Sequence, residues 1–317
     1  MDGAAKVRRI NSIRCKLARG TELPDISHPR DIREARDYVA ASKTPYGPLL
    51  HMLELITVQS KTIQPEVANP LALLYIAAQT CWFGKLLQAT YEKYPCSEHS
   101  PWKLCIYEDE AKPGNKMKMD NRRACQNIYV SFFDFGGAAL SKEDFWLTIA
   151  TLRACDIKYV EGGMSQVTKQ MLKLMFNIAG YNLRDSGISI QFHGGKEIRL
   201  FAELACVLGD ESALHQIWQC KGSGGTKCCL GCLYIVNKDW QSLEDLEADD
   251  KFKPYHAVFD IDECEPQTKH TVHYIVDHLA DKHTDVVAKT MTKGDFELQE
   301  RRFGFNHTCC GLLQDSF

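Results

Sequence analysis

The spacing of apolar residues changes several times along the chain, and each change marks an element. Residues 1–66 are charged and dotted with prolines, with one short apolar run from Leu49 to Val58. Asn69-Pro70 then opens a helical pattern: Asn suits the N-cap, Pro the first turn, and Leu71 to Tyr91 follows with no breaker except Gly84. From Pro101 the pattern shortens. Trp102 to Tyr107 reads as a buried strand that runs into the acidic triplet Glu108-Asp109-Glu110 and the turn Pro113-Gly114-Asn115. Asn127 to Phe135 reads as a second strand, ended by Gly136-Gly137.

Ser141-Lys142-Glu143-Asp144 has the form of a capping box, and Phe145, Ile149 and Leu152 behind it stand at helical spacing. Met164, Val167, Met171, Leu174 and Ile178 carry a second helical stripe as far as Gly180. Gly187 to Phe192 predicts a short strand. Ile198 to Leu208 is nearly all apolar, as expected of a strand buried on both faces. It stops at Gly209-Asp210, and Glu211 to Gln219 reads as a helix. The order strand, strand, helix, helix, strand, strand, Asp, helix predicts a mixed α/β sheet. Beyond Trp240 the composition turns acidic, and the aromatic and His-rich pieces that follow hold no long core-forming pattern. With no obvious closing element before Phe317, the chain is expected to be a truncated product of a longer reading frame. Three regions result: a basic tail and helical N-terminal region over 1–100, an α/β core over 101–220, and a Cys-rich, acidic and His-rich region over 221–317.

Composition narrows the function classes. Of 317 residues, 44% are hydrophobic and 25% charged, which is the balance of a globular chain. A net charge of −3 leaves no field for coating nucleic acid through bulk charge. The first twenty residues are locally basic. No apolar run follows the N-terminus, so no secretory signal is expected. Gln79, Thr80 and Lys85 interrupt the longest apolar stretch, so no membrane span is expected either. A soluble intracellular chain should keep its fourteen cysteines reduced. Cys15, Cys81, Cys96, Cys105, Cys125, Cys155 and Cys206 are scattered singly, where free Cys acts as a small buried hydrophobe.

Two clusters carry candidate chemistry. Asp109 lies past one predicted strand and Asp210 ends another, so strand ends that converge on one sheet edge would let the two carboxylates share a cation. Mg²⁺ or Mn²⁺ is the expected ion, since hard cations take one or two carboxylates and complete their shell with substrate phosphate. Asp210 is equally a natural N-cap, Asp109 equally a solvated loop acid, and Glu108 or Glu110 could replace it as ligand. The second cluster, Cys220-x7-Cys228-Cys229-x2-Cys232, places four thiols after and before a glycine-rich loop. Cys229 and Cys232 have the spacing to reach one tetrahedral Zn²⁺, with Cys220 or Cys228 as a third ligand and His270, His273, His278 or His283 completing the set. Reduced core cysteines are the alternative. Neither a P-loop nor a nucleophile elbow is present.

The run Arg199 to Ala213, followed by Gly224-Gly225-Thr226-Lys227-Cys228-Cys229-Leu230-Gly231-Cys232, resembles part of a eukaryotic DNA transposase of the CACTA and Plavaka types. The resemblance implies an RNase H-like core with three acids and two divalent metal ions, the first acid on the first strand and the second after the fourth. Asp109 and Asp210 match those places, and Cys229 and Cys232 match the Cys-x2-Cys of the insertion that follows. It further implies DNA as partner and the nucleus as location. Two features of the family do not occur before Phe317: an Asp-x-Met-His segment and a late third acid, for which Glu297 and Glu300 stand nearest by position. Lys112, Lys116, Lys118, Arg122 and Arg123 follow Asp109, where phosphate could approach. The expectation is therefore an RNase H-like mixed sheet with flanking helices, preceded by a helical N-terminal region and followed by an irregular Cys/His-containing insertion. Its activity, where intact, is metal-dependent DNA cleavage and strand transfer. The competing expectation is a non-enzymatic, zinc-stabilised domain that binds protein or nucleic acid.

Overall fold

A computed structural model describes residues 37, 39, 41–80, 82–112, 124–177, 180–192, 195–225, 231 and 266–314. Contacts divide the chain into two compact units, one comprising 1–55, 62–158 and 170–210, the other 56–61, 159–169 and 211–317. The fold class is mixed α/β, as the patterning predicts.

The first unit begins with strands of two or three residues: β1 (Lys43–Thr44), β2 (Gly47–Pro48), β3 (Leu50–Met52), β4 (Leu55–Ile56), β5 (Thr62–Ile63) and β6 (Glu66–Ala68). They form two-stranded pairs, β3 with β6 and the others with their neighbours, so the region before 100 is not wholly helical. Helix α1 (Pro70–Ala78) starts as its sequence dictates. Asn69 Oδ1 accepts from the amides of Leu71 and Ala72 at 3.1 and 3.3 Å, with Pro70 in the first turn. The single helix expected to Tyr91 is instead two, for α2 spans Phe83–Lys93. A Cβ on Gly84 would stand 2.0 Å from the Ala78 carbonyl oxygen, so glycine permits α2 to start against the end of α1.

The centre of this unit is a four-stranded mixed sheet of β7 (Trp102–Ala111), β8 (Cys125–Phe132), β9 (Leu147–Arg153) and β12 (Ala202–Gly209), in the order β12-β7-β8-β9. β7, β8 and β9 run antiparallel in sequence, and β12 returns parallel to β7. Trp102 of β7 and Phe132 of β8 meet Phe135 and Phe83 in an edge-to-face cluster, with neighbouring ring centroids 5.4–6.0 Å apart. The helix expected behind Ser141 is β9. Only Glu143–Phe145 makes a helical turn, and the stretch beyond it is rich in β-branched Thr148, Ile149 and Thr151, which suit the ladder to β8. The apolar run from Ile198 is also two elements. β11 (Glu197–Leu200) pairs antiparallel with β10 (Ile188–Gln191), and β12 begins after Phe201. β12 is not buried on both faces: it lies at the sheet edge, with Leu204 36% and Leu208 43% exposed.

Helix α3 (Met164–Phe176) buries Met164, Val167 and Met171 of the expected stripe; beyond them Met175 is buried in place of the expected Leu174, and the helix ends at Phe176, short of Gly180. In the second unit, α4 (Glu211–Trp218) begins directly after Asp210. α5 (Lys269–Val287) and α6 (Lys293–Phe303) occupy a region expected to be irregular. Thr268 and Thr271 form a reciprocal capping box for α5. Thr292 caps α6, and left-handed Gly304 ends it. Their core holds Cys220, Ile275, Leu279, Phe296, Phe303 and Phe305.

Candidate functional site

The two acids singled out by the sequence come from neighbouring parallel strands. Gly209, the last residue of β12, is in register with Glu108 of β7. The next residues are Asp210, just past the end of β12, and Asp109, still within β7, so both acids stand at the same end of the sheet. β7 does not stop at Tyr107 but continues through the acidic triplet to Ala111, because each triplet residue has a ladder partner on β8. Asp109 is therefore a strand residue and not a loop acid.

Alternation along β7 separates the three acids. Glu108 shares a face with Leu104 and Ile106 and is buried. Glu110 is exposed and ion-paired with Lys112 at 3.1 Å. Asp109 shares the opposite face with Tyr107, whose ring stacks on that of Tyr129, its ladder partner, at 5.9 Å and 26° between planes. Trp146 meets Tyr107 edge-on at 5.9 Å. Asn127, buried, is the ladder partner of Asp109.

Electrostatics tie the acids together. Burial raises the Tyr107 hydroxyl above its usual range, and the charges of Asp109 and Asp210 both add to the rise. Tyr129 is raised in the same way, by burial first and then by Asp109. Burial pushes the Glu108 carboxyl up to about 8, with the charge of Asp210 adding to it. Neither oxygen of Glu108 has a hydrogen-bond partner among the described residues. The sequence offered Glu108 only as an alternative to Asp109. Its burial is what a strand reading of residues 102–111 would have revealed, and the aromatic pair Tyr107 and Tyr129 escaped notice for the same reason.

The remaining candidates fall in several places. Cys228, Cys229 and Cys232 lie outside the described residues, as do Lys116, Lys118, Arg122 and Arg123. Cys220 sits in the apolar cluster of the second unit outside any disulfide, its Sγ 3.8 Å from the Trp218 carbonyl oxygen. His270, His273, His278 and His283 all stand on α5. Glu300 is engaged: one carboxylate oxygen is 2.8 Å from Lys221 Nζ and the other accepts from the His307 amide at 2.7 Å. Glu297 is 3.9 Å from Lys293 Nζ. Among the described residues, no three His, Cys, Asp or Glu side chains are grouped closely enough to hold a metal ion. No single helix among them is long and apolar enough to cross a membrane.

What the geometry offers is a strand-end pair of carboxylates, flanked on one face by stacked tyrosines and on the other by a buried acid. No protein-family model matches the chain, and no curated protein matches it either.

Proposed function

We propose that this chain is a transposase-derived protein with an RNase H-like core, acting on DNA phosphodiesters in the nucleus with the help of divalent cations. One observation carries the reading: the sheet order. An antiparallel run of three strands is followed by a fourth that returns parallel to the first, and Asp109 and Asp210 stand at the same end of the first and fourth. That is the arrangement the resemblance implies for the first two acids of the core. Correcting the helix behind Ser141 to β9 strengthens the reading, since it supplies the third strand that the sequence pattern lacked.

The residues present suit Mg²⁺ or Mn²⁺ as a shared ion. Two carboxylates from adjacent strands give hard oxygen donors, and such an ion completes its shell with water and phosphate. When bound, it would supply charge neutralisation at the phosphodiester and a more acidic attacking water or DNA 3′-OH. Asp109 and Asp210 would hold it. Tyr107 and Tyr129 present a stacked aromatic face beside Asp109, of the kind on which an unpaired base can stack.

The test is a nicking assay on supercoiled DNA with Mg²⁺ or Mn²⁺. Asp109→Ala and Asp210→Ala are each expected to reduce cleavage to background. Cleavage by both variants at the rate of the parent chain overturns the assignment.

A second reading is favoured by Glu300, whose carboxylate is ion-paired with Lys221 at 2.8 Å and accepts from the His307 amide at 2.7 Å. With Glu300 engaged in the second unit rather than offered as a third acid, the chain would be a zinc-stabilised domain that binds protein or nucleic acid without cutting it. Metal-dependent nicking lost in the two Asp variants excludes that reading.

A further inference from the structure

Cys309 and Cys310 are consecutive and take no part in the proposed chemistry. Side chains of adjacent residues in extended backbone point to opposite faces, which holds neighbouring thiols apart. Here the two Sγ atoms are only 3.5 Å apart, with one thiol hydrogen-bonded to the other. The turn that carries them is pinned on both sides by groups of the second unit. Before the pair, Thr308 is buried; its hydroxyl is 3.4 Å from Glu161 Oε1 and accepts from the Cys310 amide at 3.3 Å. After the pair, the Leu312 amide donates to Ser165 Oγ at 2.8 Å. Gly311, between them, has no room for a side chain: a Cβ there would stand 2.5 Å from Thr308 Cγ2 and 3.0 Å from Ser165 Oγ.

The two thiols differ in setting. Cys309 is exposed and Cys310 half-buried. Burial pushes the Cys310 thiol up to about 11, and the hydrogen bond and charge of Cys309 add to the rise. Cys309 is thus the accessible nucleophile, with Cys310 held beside it as a neutral thiol.

We propose that Cys309 and Cys310 form a reversible redox modification site, which a small-molecule disulfide such as glutathione disulfide oxidises to a disulfide between neighbours. The Cys309 thiolate attacks one sulfur of glutathione disulfide; a bond from Cys309 to glutathione forms, the original disulfide bond breaks, and one glutathione thiolate leaves. Capping Cys309 ends its hydrogen bond and charge at Cys310. Cys310 then gives up its proton, and its sulfur displaces the second glutathione from Cys309. Two protein thiols are oxidised, one glutathione disulfide is reduced to two glutathione thiols, and the two cysteine protons end on them. Adjacent Cα atoms stand about 3.8 Å apart, below the roughly 4.4 Å at which ordinary disulfides begin, so the ring is strained and readily reduced again.

Trypsin cleavage after Arg302 releases a peptide that begins at Phe303 and carries Cys309 and Cys310 but no other cysteine. The full chain is equilibrated with glutathione disulfide, its remaining thiols are alkylated, and that peptide is weighed by mass spectrometry. It is expected to be two hydrogens lighter and unalkylated, and excess reduced glutathione should restore both alkylation sites. Cys310→Ser is expected to stop at a glutathione adduct on Cys309. Cys309→Ser should take up glutathione at Cys310 more slowly than that. Closure should also slow in urea, where the anchors at Thr308 and Ser165 are lost. A parent peptide alkylated twice, or carrying glutathione on both cysteines, overturns the site. Faster uptake by Cys310 than by Cys309 overturns the order of attack, and equal closure in urea overturns the part given to the turn.

Discussion

At Glu108, two demands of physical chemistry collide. Strand alternation assigns the position to the interior with Leu104 and Ile106, while a carboxylate requires water or a partner. The collision has a measurable consequence. Burial holds the Glu108 carboxyl at about 8 in the folded chain, against an ordinary value of 4.5. Between those values the folded chain keeps a proton that the unfolded chain gives up, so stability falls as pH rises through the window. The loss amounts to at most roughly 5 kcal/mol at about 1.4 kcal/mol per pH unit of difference. Urea denaturation of the metal-free chain near both ends of the window should show it, and Glu108→Gln should flatten the slope. Equal pH slopes for parent and variant would falsify the account. Asp109 was legible in the sequence as an acid at a strand end. Glu108 was not, because an acidic triplet before a turn has the look of solvated loop, and only the ladder to β8 reveals that the strand runs through it.

At the scale of elements, legibility followed the strength of the local signal. α1 began where Asn69-Pro70 announced it, and α3 buried the first three residues of its Met-rich stripe before the pattern shifted to Met175. β9 was misread because Phe145, Ile149 and Leu152 satisfy helical spacing by coincidence. The neighbouring β8 decides between strand and helix there, and a single sequence does not display its neighbours. α5 escaped notice because only Ile275 and Leu279 are fully buried on its nineteen residues, too sparse a stripe to stand out. The break between α1 and α2 is the most exacting local feature. A methyl group at Gly84 would overlap the Ala78 carbonyl oxygen, which is backbone and cannot swing aside. Gly84→Ala should therefore destabilise the chain by about 1–3 kcal/mol, the usual cost of overpacking. Had α1 and α2 formed one continuous helix, alanine would be the better helix former there and would stabilise instead. A thermal melt distinguishes the two by the sign of the shift.

At the scale of the whole chain, the fourteen cysteines divide by what surrounds them. Cys96, Cys105, Cys125, Cys155, Cys206, Cys220, Cys309 and Cys310 form no disulfides among the described residues. Cys105 shows what burial does to such a group: its thiol is pushed up to about 12, with Cys206 contributing. A thiol held that far from ionisation is a poor nucleophile and a poor metal ligand, which argues for a packing role in the sheet. The metal-like spacing belongs to Cys220, Cys228, Cys229 and Cys232, where thiolates would select Zn²⁺ over the hard cations suited to Asp109 and Asp210. If both classes of site exist, they are separable by ligand chemistry in one protein. The purified chain should carry one equivalent of zinc by elemental analysis. Cys229→Ser and Cys232→Ser should each remove it, while Asp109→Ala and Asp210→Ala leave it in place. Cys220→Ser then decides whether the thiol in the apolar cluster is a ligand, by the loss or retention of that zinc. Full zinc occupancy in both Cys229→Ser and Cys232→Ser would reduce all four thiols to packing, and the acids at the sheet end would remain as the chain's candidate metal chemistry.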